Sequence, residues 1–154
     1  MTKESIIQKL KERGLRITPQ RIAIIDVLIE KGRLHPGASF IYREAKKKST
    51  SLSLSSVYAT INEFSRHGII KMLQFDGEEN RCERNLDEHI NLICEQCRKI
   101  IDYEIPIFLD QRDVAEKTGF IITDNRLEYY GYSRDCSKVE EISIADRKPR
   151  SSRS

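Results

Sequence analysis

Near residue 73 two properties of the chain reverse together, and that coincidence restricts what it can fold into. Up to about residue 68 apolar residues recur at helical spacing; beyond it they fall mainly into short strand-like segments, with one further helical stretch. Residues 1–72 hold 14 Lys and Arg against 6 Asp and Glu, a net of +8, whereas residues 73–146 hold 9 against 18, a net of −9. The overall charge of +3 conceals this split, and Arg147, Lys148, Arg150 and Arg153 add +4 at the end. A chain of 154 residues has room for two small units but not for a large catalytic scaffold. A basic unit joined to an acidic one suits a phosphate-binding module attached to a cation-binding or regulatory module.

In the basic half, residues 4–13 are helical in period and stop at Gly14. A second helix starts where Thr18 supplies an N-cap and Pro19 takes the first helical position, whose N–H has no intrahelical partner in any case. Ile22, Ile25, Val27 and Leu28 form its core stripe up to Gly32. A third helix is expected over residues 38–47, after His35-Pro36, and a fourth over 55–67, capped by the serine-rich stretch before it and closed by Gly68.

In that fourth helix Val57, Ile61 and Phe64 share one face, and Ser55, Tyr58, Ala59, Asn62 and Arg66 lie opposite. A face of small and hydrogen-bonding side chains without carboxylates suits entry into a DNA major groove: Ala permits close approach, Asn can pair with adenine, and Tyr or Ser can reach phosphate. An ordinary solvent-facing helix side would carry the same residues, and the following segment decides between the two. Residues 69–75 are strand-like, Asp76-Gly77 is a hairpin turn, and residues 80–83 can return as the partner strand. Helices closing on a hairpin make the winged form of helix-turn-helix, whose last helix reads bases while the hairpin touches backbone. The expected fold class is therefore α+β, an N-terminal winged helix-turn-helix over residues 1–83 followed by a C-terminal α/β dimerisation domain over 84–141. Arg21, Ser55, Tyr58 and Asn62 are its candidate DNA contacts, with Arg16 and the Lys46-Lys47-Lys48 run as further candidates for phosphate.

The acidic half is expected to form strands over 90–93, 99–103, 120–123 and 126–131, with a helix over 107–118. Cys94-Glu95-Gln96-Cys97 falls in the turn between the first two strands, where both sulfurs can converge on Zn2+ as half of a tetrahedral knuckle. A redox-active C-x-x-C usually opens a helix, and none is evident here. Cys136 offers a third thiolate, but the residue three before it, where a second pair would begin, is Ser133. A hydroxyl is a poor zinc ligand at neutral pH, so the site has three thiolates and an open position, or stays empty. Cys82 is a spare thiol that could complete the zinc site by folding inward, but it is read first as a buried strand residue of the hairpin.

His residues number only three. His89 and Asn91 point to the same side of one strand, Glu83 lies just upstream, Asp102 is on the next strand, and His35 sits in an interhelical loop. Two imidazoles, two carboxylates and the Asn91 carbonyl suit borderline divalent ions such as Fe2+, Mn2+ or Zn2+. His67, at a helix end, is read as a cap beside the terminal carbonyls.

In this order, the runs Arg16-Ile17-Thr18-Pro19-Gln20-Arg21, His35-Pro36, Ser56-Val57-Tyr58-Ala59-Thr60-Ile61-Asn62, His89 with Cys94-x-x-Cys97, and Leu127-Glu128-Tyr129-Tyr130-Gly131 resemble the ferric uptake regulator family over roughly residues 4–141. The resemblance implies a homodimeric, metal-responsive repressor binding a palindromic operator in double-stranded DNA. It assigns the regulatory metal, Fe2+ or Mn2+, to His35, Glu83, His89, Asn91 and Asp102, and a structural Zn2+ to Cys94, Cys97 and Cys136. Its peroxide-sensing branch oxidises iron-bound His residues, and His35 and Asn91 align with the two targets. Three departures stand out: Asn91 replaces a His, Ser133 replaces a Cys, and Asn125 replaces an auxiliary His.

No apolar run approaches the roughly 18 residues a membrane span needs, and the start MTKESIIQKL is polar where a signal peptide would be apolar, so a cytoplasmic address without membrane partners is expected. The Ser/Arg/Lys-rich tail, 142–154, is expected to be disordered. Two other functions remain open: a constitutive DNA-binding protein whose sensing site has decayed, and a zinc hydrolase or deaminase. The H-x-E followed by P-C-x-x-C order of the deaminases is absent, so neither an enzyme nor a small organic substrate is expected.

Overall fold

Caps set where the helices begin. Thr2 and Ser5 form a capping box ahead of α1 (Lys3–Glu12), and Thr18 accepts from the Arg21 amide ahead of α2 (Pro19–Lys31), with Pro at the helix start as expected. A 3-10 turn (Gly32–Leu34) leads to α3 (Ala38–Ala45), and α4 spans Leu54–Arg66. Helix α4 starts one residue earlier than expected because Ser53 is the cap: its hydroxyl accepts from the Ser56 amide at 3.2 Å while its own amide donates to the Ser56 hydroxyl at 3.1 Å. Helix α3 ends at Ala45, two residues short, as the chain turns through the lysine run.

The computed structural model describes residues 1–104 and 110–137. It divides into two compact units, Met1–Glu88 and His89–Ser154. The first joins the four helices to the antiparallel pair β1 (Lys71–Leu73) and β2 (Arg81–Glu83), in the register Lys71↔Glu83 and Met72↔Cys82. Strand β1 is shorter than the expected 69–75 because Ile69 and Ile70 are drawn into the helical core with Ile6, Leu10, Ile24, Leu28, Ile41, Ile61 and Phe64. The division falls five residues beyond the boundary expected after Glu83. The segment after β2 stays tied to the helices: Arg84 donates to the Ile29 carbonyl at 3.4 Å, and the Asn85 amide donates to Glu83 Oε1 at 2.6 Å.

In the second unit β3 (His89–Cys94) is the central strand, antiparallel to β4 (Ile100–Glu104) and parallel to β5 (Glu128–Gly131). Helix α5 (Gln111–Thr118) is capped by Asp110, whose side chain accepts from the amides of Arg112 at 3.0 Å and Asp113 at 3.4 Å. Residues 107–109 of the expected helix lie outside the described residues, as do 138–141 and the basic tail. The strand expected over 120–123 does not form: a strand needs an edge to pair with, and these residues make no ladder with any described residue. Phe120 and Ile121 are left 66% and 84% exposed. A short α6 (Arg134–Ser137) that periodicity could not reveal carries Cys136.

Candidate metal centres and nucleic-acid interface

The end of the sheet assembles the first centre. Because β3 and β5 run parallel, Cys94 pairs with Gly131, and the Glu95 amide donates to the Gly131 carbonyl at 2.8 Å. This brings the Cys94–Cys97 turn beside the chain entering α6, and the sulfurs of Cys94, Cys97 and Cys136 lie within 4.8 Å of one another. Zn–S bonds of about 2.3 Å at tetrahedral angles require sulfurs about 3.8 Å apart, so small adjustments admit one ion. Ser133 stands where a fourth ligand is needed: its Oγ is 3.8 Å from Cys97 Sγ, and its amide donates to Cys94 Sγ at 3.3 Å.

Burial opposes the Cys94 thiolate, yet hydrogen bonds from the Ser133 and Cys97 amides, the Ser133 hydroxyl and the Gln96 amide bring its pKa down to about 6. The Ser133 hydroxyl favours the Cys136 thiolate too, but burial and the neighbouring sulfurs outweigh it and hold that thiol above its ordinary range. Cys82 is different. It is buried against Met72, with its thiol pushed up to about 12 by burial and the nearby Glu79 charge, which makes it an inert packing residue as expected.

The remaining expected ligands form two sets, one in each unit. In the helical unit His35 Nε2 meets Glu83 Oε2 at 2.9 Å, with both side chains buried. With Glu83 ionised, its carboxylate only accepts, and Nε2 is then the ring nitrogen that donates to it. A carboxylate fixing the tautomer of an imidazole in this way is a recurring feature of metal-binding His residues. His35 also adopts a left-handed backbone, φ 49° and ψ 63°, which is uncommon for a residue other than glycine and costs on the order of 1–3 kcal/mol. Three contacts hold it there: its amide donates to the Gly32 carbonyl at 3.1 Å, Arg81 donates to its carbonyl at 3.0 Å, and the Cys82 amide donates to the Pro36 carbonyl at 2.9 Å.

In the second unit Asn91 is directly opposite Asp102 across the β3–β4 ladder, and His89 Nε2 is 3.9 Å from Asp102 Oδ1. The Asn91 side chain is buried, and its carbonyl oxygen has no hydrogen-bond partner among the described residues. A buried acceptor left in that state is costly, which a cation would relieve.

Helix α4 buries Val57, Thr60, Ile61 and Phe64 and exposes Ser55, Tyr58, Ala59, Asn62 and Arg66, the division expected from its periodicity. Arg21, expected as a DNA contact, already has partners within its own unit. It forms an ion pair with Glu63 and donates to the Arg16 carbonyl at 3.0 Å, so it braces α2 against α4. Within the lysine run, Lys46 bonds Tyr42, Lys47 pairs with Glu44 at 2.7 Å, and Lys48 pairs with Glu30 at 2.6 Å. Exposed pairs of this kind are worth little and are readily exchanged for phosphate. His67 is the C-cap of α4, but there it is the backbone amide that reaches the Glu63 carbonyl. One residue of this face escaped the sequence reading: Glu79, in the hairpin turn, accepts from Tyr58 and Ser39. Its only visible signal was an acidic pair in a turn expected to meet DNA.

Residues 12–130 match the model of the ferric uptake regulator family. The chain belongs to the ferric uptake regulator family. Among its relatives, the peroxide operon regulator of Bacillus subtilis is 38% identical over 136 residues, covering 87% of this chain and 92% of that protein. The peroxide-responsive repressor PerR of Staphylococcus aureus is 35% identical over 134 residues, covering 86% and 90%. Of solved structures, the Helicobacter pylori ferric uptake regulator Fur aligns with a TM-score of 0.72 at 27% identity, over 89% of this chain and 95% of that one. A zinc-bound manganese uptake regulator aligns at 0.63 with 32% identity, over 83% and 98%. The fold is accordingly the family's α+β arrangement with a helical DNA-binding N-terminus, and the chain is a metal- or peroxide-responsive transcription regulator of that family. No helix of the described residues is long and apolar enough to cross a membrane.

Proposed function

We propose that this chain is a repressor that binds a palindromic operator in double-stranded DNA as a homodimer, under the control of Fe2+, Mn2+ or Zn2+, or of peroxide acting through bound iron. It is a regulator and not an enzyme, and its proposed address is the cytoplasm. The observation that carries the reading is α4: a helix anchored by Val57, Ile61 and Phe64 that turns Ser55, Tyr58 and Asn62 to solvent, with no carboxylate among its fully exposed residues. Cys94, Cys97 and Cys136 would hold a structural zinc, which would tie the knuckle to α6. His35, Glu83, His89, Asn91 and Asp102 are the proposed ligands of the regulatory ion. The buried His35–Glu83 pair, the His89–Asp102 approach and the buried Asn91 oxygen support that assignment.

Selecting duplexes from a randomised DNA pool with Mn2+-loaded protein is expected to yield a palindrome. Affinity for it should fall steeply with salt as condensed counterions are released. Asn62→Ala should lower affinity for the selected duplex roughly tenfold while leaving a scrambled duplex unaffected. Equal loss on both duplexes would remove Asn62 from base reading.

The second copy is expected to cover the most exposed of the apolar residues in the second unit, among them Phe120, Ile121, Tyr129 and Tyr130. The double variant Phe120→Asp/Ile121→Asp should therefore sediment as a monomer at concentrations where the wild type is a dimer. A dimer that survives both charges would place the interface elsewhere.

A further inference from the structure

The hairpin turn of the helical unit is acidic, with Asp76, Glu78 and Glu79, although a wing that touches backbone should be basic. The structure gives Glu79 a definite task. Its Oε1 accepts from the Ser39 amide at 2.9 Å, from the Ser39 hydroxyl at 2.8 Å and from the Tyr58 hydroxyl at 2.9 Å. Its Oε2 rests against Gly37, where an added Cβ would stand 2.2 Å away, so the close seat depends on glycine at the α3 N-cap. One carboxylate thus links the turn, the start of α3 and the outward face of α4. Partial burial opposes its charge, but the Ser39 hydroxyl and amide, the Tyr58 hydroxyl and Arg81 together hold its pKa below the usual carboxylate value. The hydrogen bond to Glu79 and the charge of that group raise the Tyr58 pKa, so the phenol keeps its proton.

A phenol has one hydrogen to donate. With that hydrogen committed to Glu79, Tyr58 offers only lone pairs outward. A phosphate oxygen also only accepts, and the Glu79 charge repels it, so Tyr58 held in this way is a poor phosphate contact. The major groove does contain donors that a lone pair can meet: the amino groups of adenine and cytosine. We propose that Glu79 is a positioning residue that makes Tyr58 an acceptor for a base amino group, and so a determinant of sequence preference rather than of phosphate affinity. This inference rests on the reading of α4 as the DNA-contacting helix.

The test applies selection from a randomised duplex pool to the full-length, Mn2+-loaded wild type and to Tyr58→Phe, Glu79→Ala and Glu79→Gln, each first checked for an unchanged melting temperature. The wild type should favour an amino-bearing base, A or C on one strand, at one position in each half-site by about three- to tenfold, the range of one net hydrogen bond. Tyr58→Phe and Glu79→Ala should both lose that preference while keeping it at the other positions. Glu79→Gln, which retains an acceptor for the phenol, should keep it. Glu79→Ala should also bind a scrambled duplex more tightly, because the freed hydroxyl can donate to phosphate and a carboxylate that repels the backbone is gone. A preference unchanged in Tyr58→Phe and Glu79→Ala, or a Glu79→Ala loss equal at every position, overturns the inference while leaving α4 as the reading helix. If the wild type enriches no duplex, the DNA-binding reading itself fails, and the inference with it.

Discussion

Replacing His89 by Ala should leave the operator affinity of chelator-treated protein unchanged and abolish the gain that Mn2+ gives the wild type, a gain on the order of 5- to 150-fold. The asymmetry follows from linkage. A ligand shifts a conformational equilibrium only by its differential affinity for the two states, so removing a metal ligand can affect DNA binding only when metal is there to bind. His89 is suited to this test because it sits at the start of β3, opposite Glu104 in the ladder, and lies outside the buried cluster that holds the helices together. Reciprocity supplies a second measurement: the selected duplex should tighten Mn2+ binding by the same factor in the wild type and by none in the variant. Fluorescence anisotropy of labelled duplex, with and without chelator, reads the first quantity. Equal loss in chelator and in Mn2+ would mean that His89 supports the fold, and the metal switch would have to be sought elsewhere.

The helical unit was largely legible in the sequence because its signals are local. Thr18-Pro19 marks a helix start within four residues, and the spacing of Val57, Ile61 and Phe64 sorts α4 into a buried and an open face without knowledge of what it packs on. Asp76-Gly77 likewise announces the β1–β2 hairpin. What the sequence concealed depends on partners distant along the chain. The ion pair of Arg21 with Glu63, 42 residues away, has no local signal. Nothing local singles out Glu79, yet Ser39 and Tyr58 converge on it from two helices. Residues 120–123 have the composition of a strand, but composition does not provide an edge to pair with. The ligand types of both candidate metal sets were readable from donor chemistry. The left-handed turn at His35 was not, because only the fit of the 3-10 turn to β2 imposes it.

Ser133→Cys is expected to tighten zinc binding at the thiolate centre roughly a hundredfold, the share of one ligand in the 10–16 kcal/mol typical of a complete structural site. The substitution changes one atom at a position already within reach, since Ser133 Oγ is 3.8 Å from Cys97 Sγ and the Ser133 amide already points at Cys94 Sγ. Three thiolates satisfy only three corners of the tetrahedron that zinc prefers. A serine hydroxyl keeps its proton at neutral pH, so the fourth corner is left to it or to water. Cys136→Ser should have the opposite effect, leaving the Cys94–Cys97 pair alone, and zinc should then be lost to a moderate chelator. Competition against a chromophoric chelator measures both constants, and thermal melting with and without zinc shows whether the ion stabilises the second unit. If Ser133→Cys leaves zinc affinity unchanged, residue 133 does not face the ion, and the fourth ligand must come from elsewhere in the protein.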